Sequence, residues 1–395
     1  MPRVYRTLWL VSVTSLLTDV SSEMVYPLVP MFLSTVLGAT PAALGVIEGV
    51  AECVASVVKI VSGRWSDRLG NRKVLAVGGY AGSAVGKVVL YLAVNWPLVL
   101  VARVIDRFGK GVRGAPRDAL LAESVPKEEL GHAFGFHRAM DTIGAVIGVL
   151  IAYLLISSRS ETPYRMVFLL SVIPAVLGVV ALAMVREKAP HAGVVKAPVK
   201  LSLAGFRSLS PKLRAFLVIT LVFALGNSSN QFLLLRAGQL GHGPAAVVLM
   251  YLMFNLTYAS ASYPAGWLSD RIGRRAVLAA GYLVYGVTYL AFGAWRDPTA
   301  PWVLMPVYGL YAGLTDGVEK ALLAELSPTD QKATVMGLHA AIVGVGVLPA
   351  SVVTGVLWTY VGPLAAFGLG GVLGLAAAVA LWMSLRGSGS AGSRE

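Results

Sequence analysis

Charged residues of this chain recur inside stretches that are otherwise apolar. Asp19 and Glu23 stand at i and i+4, which puts both on one face of a helix. Glu48, Glu52 and Lys59 fall within about 40° of one another at about 100° per residue. Lys87 stands alone, and His137, Arg138 and Asp141 form a further group. The densest run is Arg103, Asp106, Arg107, Lys110, Arg113 and Arg117. It occupies about 120° of one helical face and about 21 Å of its length, at about 1.5 Å per residue. Three kinds of chemistry suit such groups. Carboxylates among guanidinium groups in low dielectric can take up and release protons. Arginines can hold an anion through charge-assisted, bidentate contacts. The charges can also form a structural network whose longer side chains reach interfacial water. Asp19, Glu23, Glu48, Glu52, Arg107 and Asp141 are the candidates for proton exchange. Arg103, Asp106, Lys110 and His137 are candidates for ligand contact. Lys59, Arg113, Arg117, Asp118 and Arg138 fit the structural role best.

The elements that position these groups follow from composition. The chain has 395 residues, 13% charged and 56% hydrophobic, with a net charge of +13. Soluble domains carry about 25% charged residues. A mean hydropathy of +0.71 agrees with this bias. These values exclude a soluble enzyme, a disordered tail protein and a disulfide-stapled secreted domain. The single cysteine, Cys53, has no intrachain disulfide partner. Apolar runs predict helices near 7–36, 42–62, 74–93, 97–122, 131–156 and 164–185, then 213–236, 244–266, 276–295, 301–326, 334–360 and 363–385. Twelve crossings need about 240 residues. The runs are continuous and do not alternate with period two, which argues against a barrel. The basic start, Met1-Pro-Arg3-Val-Tyr-Arg6, is followed by no small-residue cleavage site, so it reads as part of a retained first helix. Lys and Arg crowd the even-numbered connections: Arg64, Arg68, Arg72 and Lys73 after the second run, and Arg271, Arg274 and Arg275 after the eighth. Both termini are therefore expected in the cytoplasm. The positive charge then matches anionic lipid headgroups and needs no nucleic-acid partner. Ser210-Pro211 reads as a helix N-cap with proline at the first position.

An internal repeat divides the chain. Gly63-Arg-Trp-Ser-Asp67-Arg68-Leu-Gly70 returns as Gly266-Trp-Leu-Ser-Asp270-Arg271-Ile-Gly273. Leu120-Leu-Ala-Glu123 returns as Leu322-Leu-Ala-Glu325, and Gly135-Phe-His137 as Gly337-Leu-His339. The order and spacing predict two related six-helix bundles, residues 1–185 and 213–386, joined by a cytoplasmic linker at 186–212 and followed by a flexible tail at 387–395. The Gly63–Lys73 block resembles motif A of the major facilitator superfamily, G-x-x-x-D-R-x-G-R-[RK], with Asn71 where arginine is usual. The second copy lies at the matching place. The resemblance implies an all-α membrane protein, with twelve transmembrane helices in two pseudo-symmetric bundles that rock around a central cavity. It also implies a gate built from Gly63, Asp67, Arg68, Gly70, Arg72, Asp270, Arg271 and Gly273. Arg107-Phe-Gly-Lys110-Gly111-Val-Arg113-Gly resembles motif B, which the family associates with proton coupling, with Lys110 and Arg113 at departing positions. Gly144-Ala-Val-Ile-Gly148-Val149 keeps the glycine spacing of the antiporters' motif C, with Val149 where proline is common.

The second half is poorer in charge. Ser228-Ser229-Asn230 stands where the first half has Ser21-Ser22-Glu23, so an acid has become an amide. Asn227, Asn230, Gln231, Tyr251, Asn255, Tyr311, Asp316, Glu319 and His339 are the expected substrate-cavity residues there. Gly78, Gly82 and Gly86, and Gly309, Gly313 and Gly317, are expected to permit close helix contact. No Walker loop, CxxC or HExxH is present. The expectation is a bacterial inner-membrane, multi-pass facilitator without catalytic site, metal or cofactor, a monomer driven by the proton gradient. Its expected work is export of a small organic compound. The alternatives are export of a divalent metal or metal chelate, and anion or organophosphate exchange on the fourth-helix arginines.

Overall fold

The protein is described by a computed structural model at residues 3–69, 71–126, 129–157, 163–185, 209–328 and 332–386. Regular structure among the described residues is helical. The helices are α1 (Arg3–Val25), α2 (Pro41–Leu69), α3 (Arg72–Tyr91), α4 (Trp96–Glu123), α5 (Leu130–Ser157), α6 (Tyr164–Ala183), α7 (Pro211–Gly226), α8 (Gln231–Gln239), α9 (Pro244–Ile272), α10 (Arg274–Ala294), α11 (Ala300–Leu326), α12 (Lys332–Tyr360) and α13 (Pro363–Arg386). Among the described residues, eight stretches are long and apolar enough to cross a membrane, with α7 and α8 taken as one. α1, α2, α4 and α11 fall outside that set. They carry most of the charged candidates. The expected linker between 186 and 208 and the tail at 387–395 lie outside the described residues.

Local sequence explains most boundaries. Asn71 accepts a hydrogen bond from the Val74 N–H at 3.2 Å and caps α3, which gives this departure from the family pattern a structural use. Asn95 caps α4 through the Leu98 N–H at 3.0 Å. Ser210 caps α7 ahead of Pro211, as its sequence predicts. Pro27 and Pro30 cannot donate to the helical ladder, and α1 passes there into a 3-10 turn (Tyr26–Leu28), a short helical stretch (Val29–Met31) and a π turn (Phe32–Val36).

Two expectations change. The Gly63–Leu69 and Gly266–Ile272 segments are the last turns of α2 and α9, not connections. The seventh crossing is not continuous: it stops at Gly226 and resumes at Gln231. The intervening Asn227-Ser-Ser-Asn230 is rich in residues that bond their own backbone and so compete with the helix.

The chain forms two compact units. One comprises Met1–Ala39, Val50–Ala197 and Gly243–Leu249; the other Thr40–Gly49, Pro198–His242 and Met250–Glu395. The first turns of α2 thus belong with the second unit. Within each unit, glycines set the closest helix seams. A Cβ at Gly144 or Gly148 of α5 would collide with the Leu16 or Val20 carbonyl of α1. Gly346 of α12 stands in the same repeat position as Gly144 and meets Ala224 of α7. On α3, Gly79 and Gly86 make the close approach to α4, whereas the expected Gly78 faces open space. Gly309 and Gly313 seat α11 on α9, and Gly317 touches nothing within 4 Å. The outward faces carry Leu154, Leu169, Ile173 and Leu177, exposed apolar side chains suited to lipid.

Candidate functional site

In the first unit the α4 stripe builds an ion network. Asp106 is 9% exposed, a burial that a carboxylate tolerates only with partners. Its carboxylate faces Lys87 Nζ at 3.6 Å, Arg103 Nη1 at 3.9 Å and Arg107 Nη1 at 3.9 Å. Arg107 Nε reaches Glu52 Oε1 of α2 at 2.9 Å. Lys87 of α3 is an additional partner that the sequence left unassigned.

The inner part of the stripe meets α1, α3 and α5. Arg113 donates to Ser83 Oγ, and its guanidinium lies 4.5 Å from the centre of the Tyr80 ring. Arg117 donates to Asp118 at 2.8 Å and to Ser15 Oγ at 3.2 Å. Ser15 Oγ also lies 3.3 Å from Tyr80 Oη and 3.3 Å from His137 Nε2. His137 Nε2 is 3.8 Å from Asp141 Oδ1. Asp141, Glu23, Arg113 and Lys110 each act on the charge of Asp19. Lys59, Lys110 and Arg138 are exposed.

The repeated motif A segments have repeated partners. Arg72 pairs with Glu123 in the first unit. Arg274, 202 residues later, pairs with Glu325 at 2.9 Å and with Asp270 at 3.2 Å. The Leu-Leu-Ala-Glu repeat therefore supplies the acid for the motif arginine. Gly273 has φ +96°, a left-handed conformation open to glycine, and joins α9 to α10. Arg271 lies over the Trp267 ring at 3.7 Å. A Cβ built on Gly63 would meet Ala115 at ordinary contact distance. Gly70 and the side chains of Asp67 and Arg68 lie outside the described residues. Lys212, Asp270, Gly273, Arg274, Arg275 and Glu325 line a cavity of about 510 Å³ at this corner.

In the second unit the polar groups gather at the break between α7 and α8. Freed backbone groups at membrane depth need partners, and tyrosines of α10 and α11 provide them. Tyr285 Oη donates to the Gly226 carbonyl at 2.7 Å, and Tyr289 Oη to the Ser228 carbonyl at 3.3 Å. Tyr308 Oη donates to Asn230 Oδ1 at 2.7 Å, and Asn227 Nδ2 donates to Tyr311 Oη at 3.4 Å. The Ser229 N–H donates to Ser351 Oγ at 3.1 Å, and the Ser229 hydroxyl to Glu48 Oε2 at 3.2 Å. Glu48, grouped by sequence with the first-half acids, is thus part of the second unit and 1% exposed.

Other expected second-half residues divide by use. Gln231 is fully buried at the start of α8. Tyr251 stacks on Phe254, and Asn255 donates to the Tyr251 carbonyl. Asp316 accepts from Tyr258 Oη at 2.8 Å and pairs with Lys320 at 2.6 Å. His339 Nε2 lies 2.6 Å from Glu319 Oε1. Tyr282, Tyr285, Tyr289 and Tyr308 were not among the sequence candidates. Their signal was present: three tyrosines at helical spacing in one apolar run, opposite a Gly-Asn-Ser-Ser-Asn stretch. Among the described residues, no three His, Cys, Asp or Glu side chains gather in a metal-holding group.

Comparison with known proteins agrees with this architecture. A family model described as Major Facilitator Superfamily matches residues 11–235 and 215–395. An uncharacterized MFS-type transporter of Methanocaldococcus jannaschii is 34% identical over 376 residues, covering 94% of this chain and 92% of that protein. A probable 4-methylmuconolactone transporter of Cupriavidus pinatubonensis is 28% identical, covering 93% of this chain and 87% of that protein. The crystal structure of the nucleoside transporter NupG superposes with a TM-score of 0.77 at 12% identity, covering 98% of this chain and 100% of that one.

Proposed function

The chain belongs to the major facilitator superfamily, and from that premise we propose that it couples proton movement to the export of a small organic compound by alternating access. The observation that carries the coupling is the company of Asp19. A carboxyl group there stands within electrostatic reach of Asp141 and Glu23, and of the cations Arg113 and Lys110, the last of them exposed. Neighbouring carboxylates in low dielectric resist being charged together, and a nearby cation relieves that cost. Taking up a proton therefore changes which partners the remaining acids hold. Glu52 on Arg107 and Asp106 on Lys87 offer adjacent pairs for such an exchange.

For export the residues offer only the glycine spacing of motif C at Gly144 and Gly148, with Val149 where proline is common. A small organic compound as substrate is supported by the relative named for 4-methylmuconolactone. Anion exchange on the arginine stripe has less support, because Arg103 and Arg107 already face Asp106 and Glu52. The proposal puts the protein in the cell membrane as a monomer with both termini in the cytoplasm.

The test uses purified protein in liposomes loaded with a pH-sensitive dye. Lipophilic cations, small organic acids and lactones, phosphorylated metabolites and divalent metals are added in turn. Proton movement triggered by an organic compound is expected. Substrate movement without protons would overturn the coupling.

A further inference from the structure

The repeat relates three positions across the two units. His137, Tyr80 and Arg117 of the first unit correspond to His339, Tyr282 and Glu319 of the second, each 202 residues later. In the first unit, Ser15 joins all three: its hydroxyl lies within 3.3 Å of the imidazole, the phenol and the guanidinium. In the second unit the same three positions come together again, with Tyr282 beside Glu319 and Thr220. The partners differ. In the first unit the guanidinium bonds the serine that contacts the histidine, and Asp141 lies 3.8 Å from that ring; in the second a carboxylate stands 2.6 Å from the ring.

We propose that the Glu319–His339 pair is a proton-binding site, so that the second unit carries a coupling proton of its own. This rests on the proton-coupled transport proposed above and adds a group to it. An ionised carboxylate only accepts hydrogen bonds, so the short contact places the imidazole hydrogen on Nε2. An incoming proton then binds at Nδ1 and converts the pair to imidazolium and carboxylate. Releasing that proton restores the neutral imidazole, and no other reactant is needed. The side chains keep 12% and 15% of their exposure, which leaves the pair a route to water. Phe216 of α7 lies parallel to the His339 ring, with the ring centres 6.4 Å apart.

The surrounding groups can be named. α10 presents Tyr282 to Glu319. α11 presents Tyr311 and, on its exposed side, Asp316 paired with Lys320. α9 places Tyr258 on Asp316, and α7 contributes Phe216 and Thr220. No guanidinium bonds to the pair among the described residues, in contrast to Arg117 beside His137.

The experiment is proton uptake by the purified full-length protein, recorded with an indicator dye on acidification through the range where imidazoles titrate, about pH 8 to about pH 5. The variants are His339→Gln, Glu319→Gln and the double variant, each checked for its melting temperature and elution volume. His339→Gln is expected to lose one proton from that range, Glu319→Gln to shift the same proton's uptake to lower pH, and the double variant to lose no more than His339→Gln. A structural hydrogen bond alone would leave Glu319→Gln at the wild-type uptake, and that result overturns the proposal. Additive losses in the double variant overturn it too. Should a variant not fold, Glu319→Ala and His339→Asn replace it under the same criterion. The liposome test separates the two readings. The shared-proton pattern without substrate-linked proton flux keeps the site and removes coupled transport. Coupled flux with unchanged uptake in the variants does the reverse.

Discussion

Arg274 reaches Glu325, with Nη1 2.9 Å from Oε2, and its repeat partner Arg72 reaches Glu123. Two segments that are only weakly similar in sequence thus reproduce the same ion pair between the third and fourth helices of each half. In both cases the arginine opens the helix that follows a motif A segment, so the pair ties that segment to the next two helices. The second copy adds Asp270 to the same guanidinium. The arrangement suits a contact that forms in one conformation and breaks in another.

Glu325→Gln tests that use. The side chains are 33% and 52% exposed, so the pair contributes about 0–1 kcal/mol to stability. The melting temperature is expected to move by no more than about 4 °C. Transport is expected to slow about tenfold, which corresponds to about 1.4 kcal/mol in the barrier. Normal kinetics with normal stability would assign the pair to anchoring alone.

Asp106 offers an asymmetric pair of substitutions. Lys87→Met leaves Asp106 with Arg103 and Arg107, whereas Asp106→Asn leaves three cations around a neutral amide. The aspartate substitution is expected to cost about 3–5 kcal/mol and the lysine substitution clearly less. Denaturation of the purified variants in detergent measures both. Equal costs would mean that Lys87 is the main partner of Asp106.

The α1–α5 seam predicts opposite effects for two glycines on one helix. Gly148→Ala places a Cβ against the Val20 carbonyl, whereas Gly135→Ala meets nothing within 4 Å. The first is expected to destabilise by about 1–3 kcal/mol through overpacking. The second is expected to be neutral or to stabilise by up to about 1 kcal/mol, because alanine restricts the unfolded chain. Thermal unfolding of the two variants decides this, and similar melting temperatures would show that the seam has room for a methyl group.

The break in the seventh crossing predicts a role for single hydroxyl groups. Tyr285→Phe removes the donor that serves the Gly226 carbonyl. A buried acceptor left without its partner costs about 1–3 kcal/mol. Tyr282→Phe, one turn earlier, removes a hydroxyl beside Thr220 and Glu319 instead and leaves the break untouched. Hydrogen exchange at residues 226–231 is expected to rise in Tyr285→Phe and to stay at the wild-type level in Tyr282→Phe. Unchanged exchange in both would show that the tyrosines pack the break without sustaining it.

Much of the fold is legible in the residues. Apolar runs of crossing length give the helices, and the repeated Gly-x-x-Ser-Asp-Arg and Leu-Leu-Ala-Glu segments give the two related halves. The break at Asn227 is not legible by hydropathy, because four residues barely alter an average taken over a crossing. Partner choice is harder still. Lys87 faces Asp106 because α3 and α4 touch through Gly79, Gly86 and Gly109, and periodicity does not fix that rotation. Glu48 and Glu52 share one helical face but serve different units, a division that depends on where α2 passes from one unit to the other. The tyrosines of α10 stand at the spacing of any buried helix face. Only the unwound backbone opposite Tyr285 and Tyr289 shows why these two are not phenylalanines.

The central claim is proton-coupled transport, and its most direct measurement is proton flux in dye-loaded liposomes with wild type, Asp19→Asn and Glu23→Gln compared side by side. Coupling predicts that an organic compound triggers proton movement in the wild type, and that at least one of the two variants loses the pH dependence while still exchanging that compound. Substrate movement in the wild type with no proton movement would contradict it.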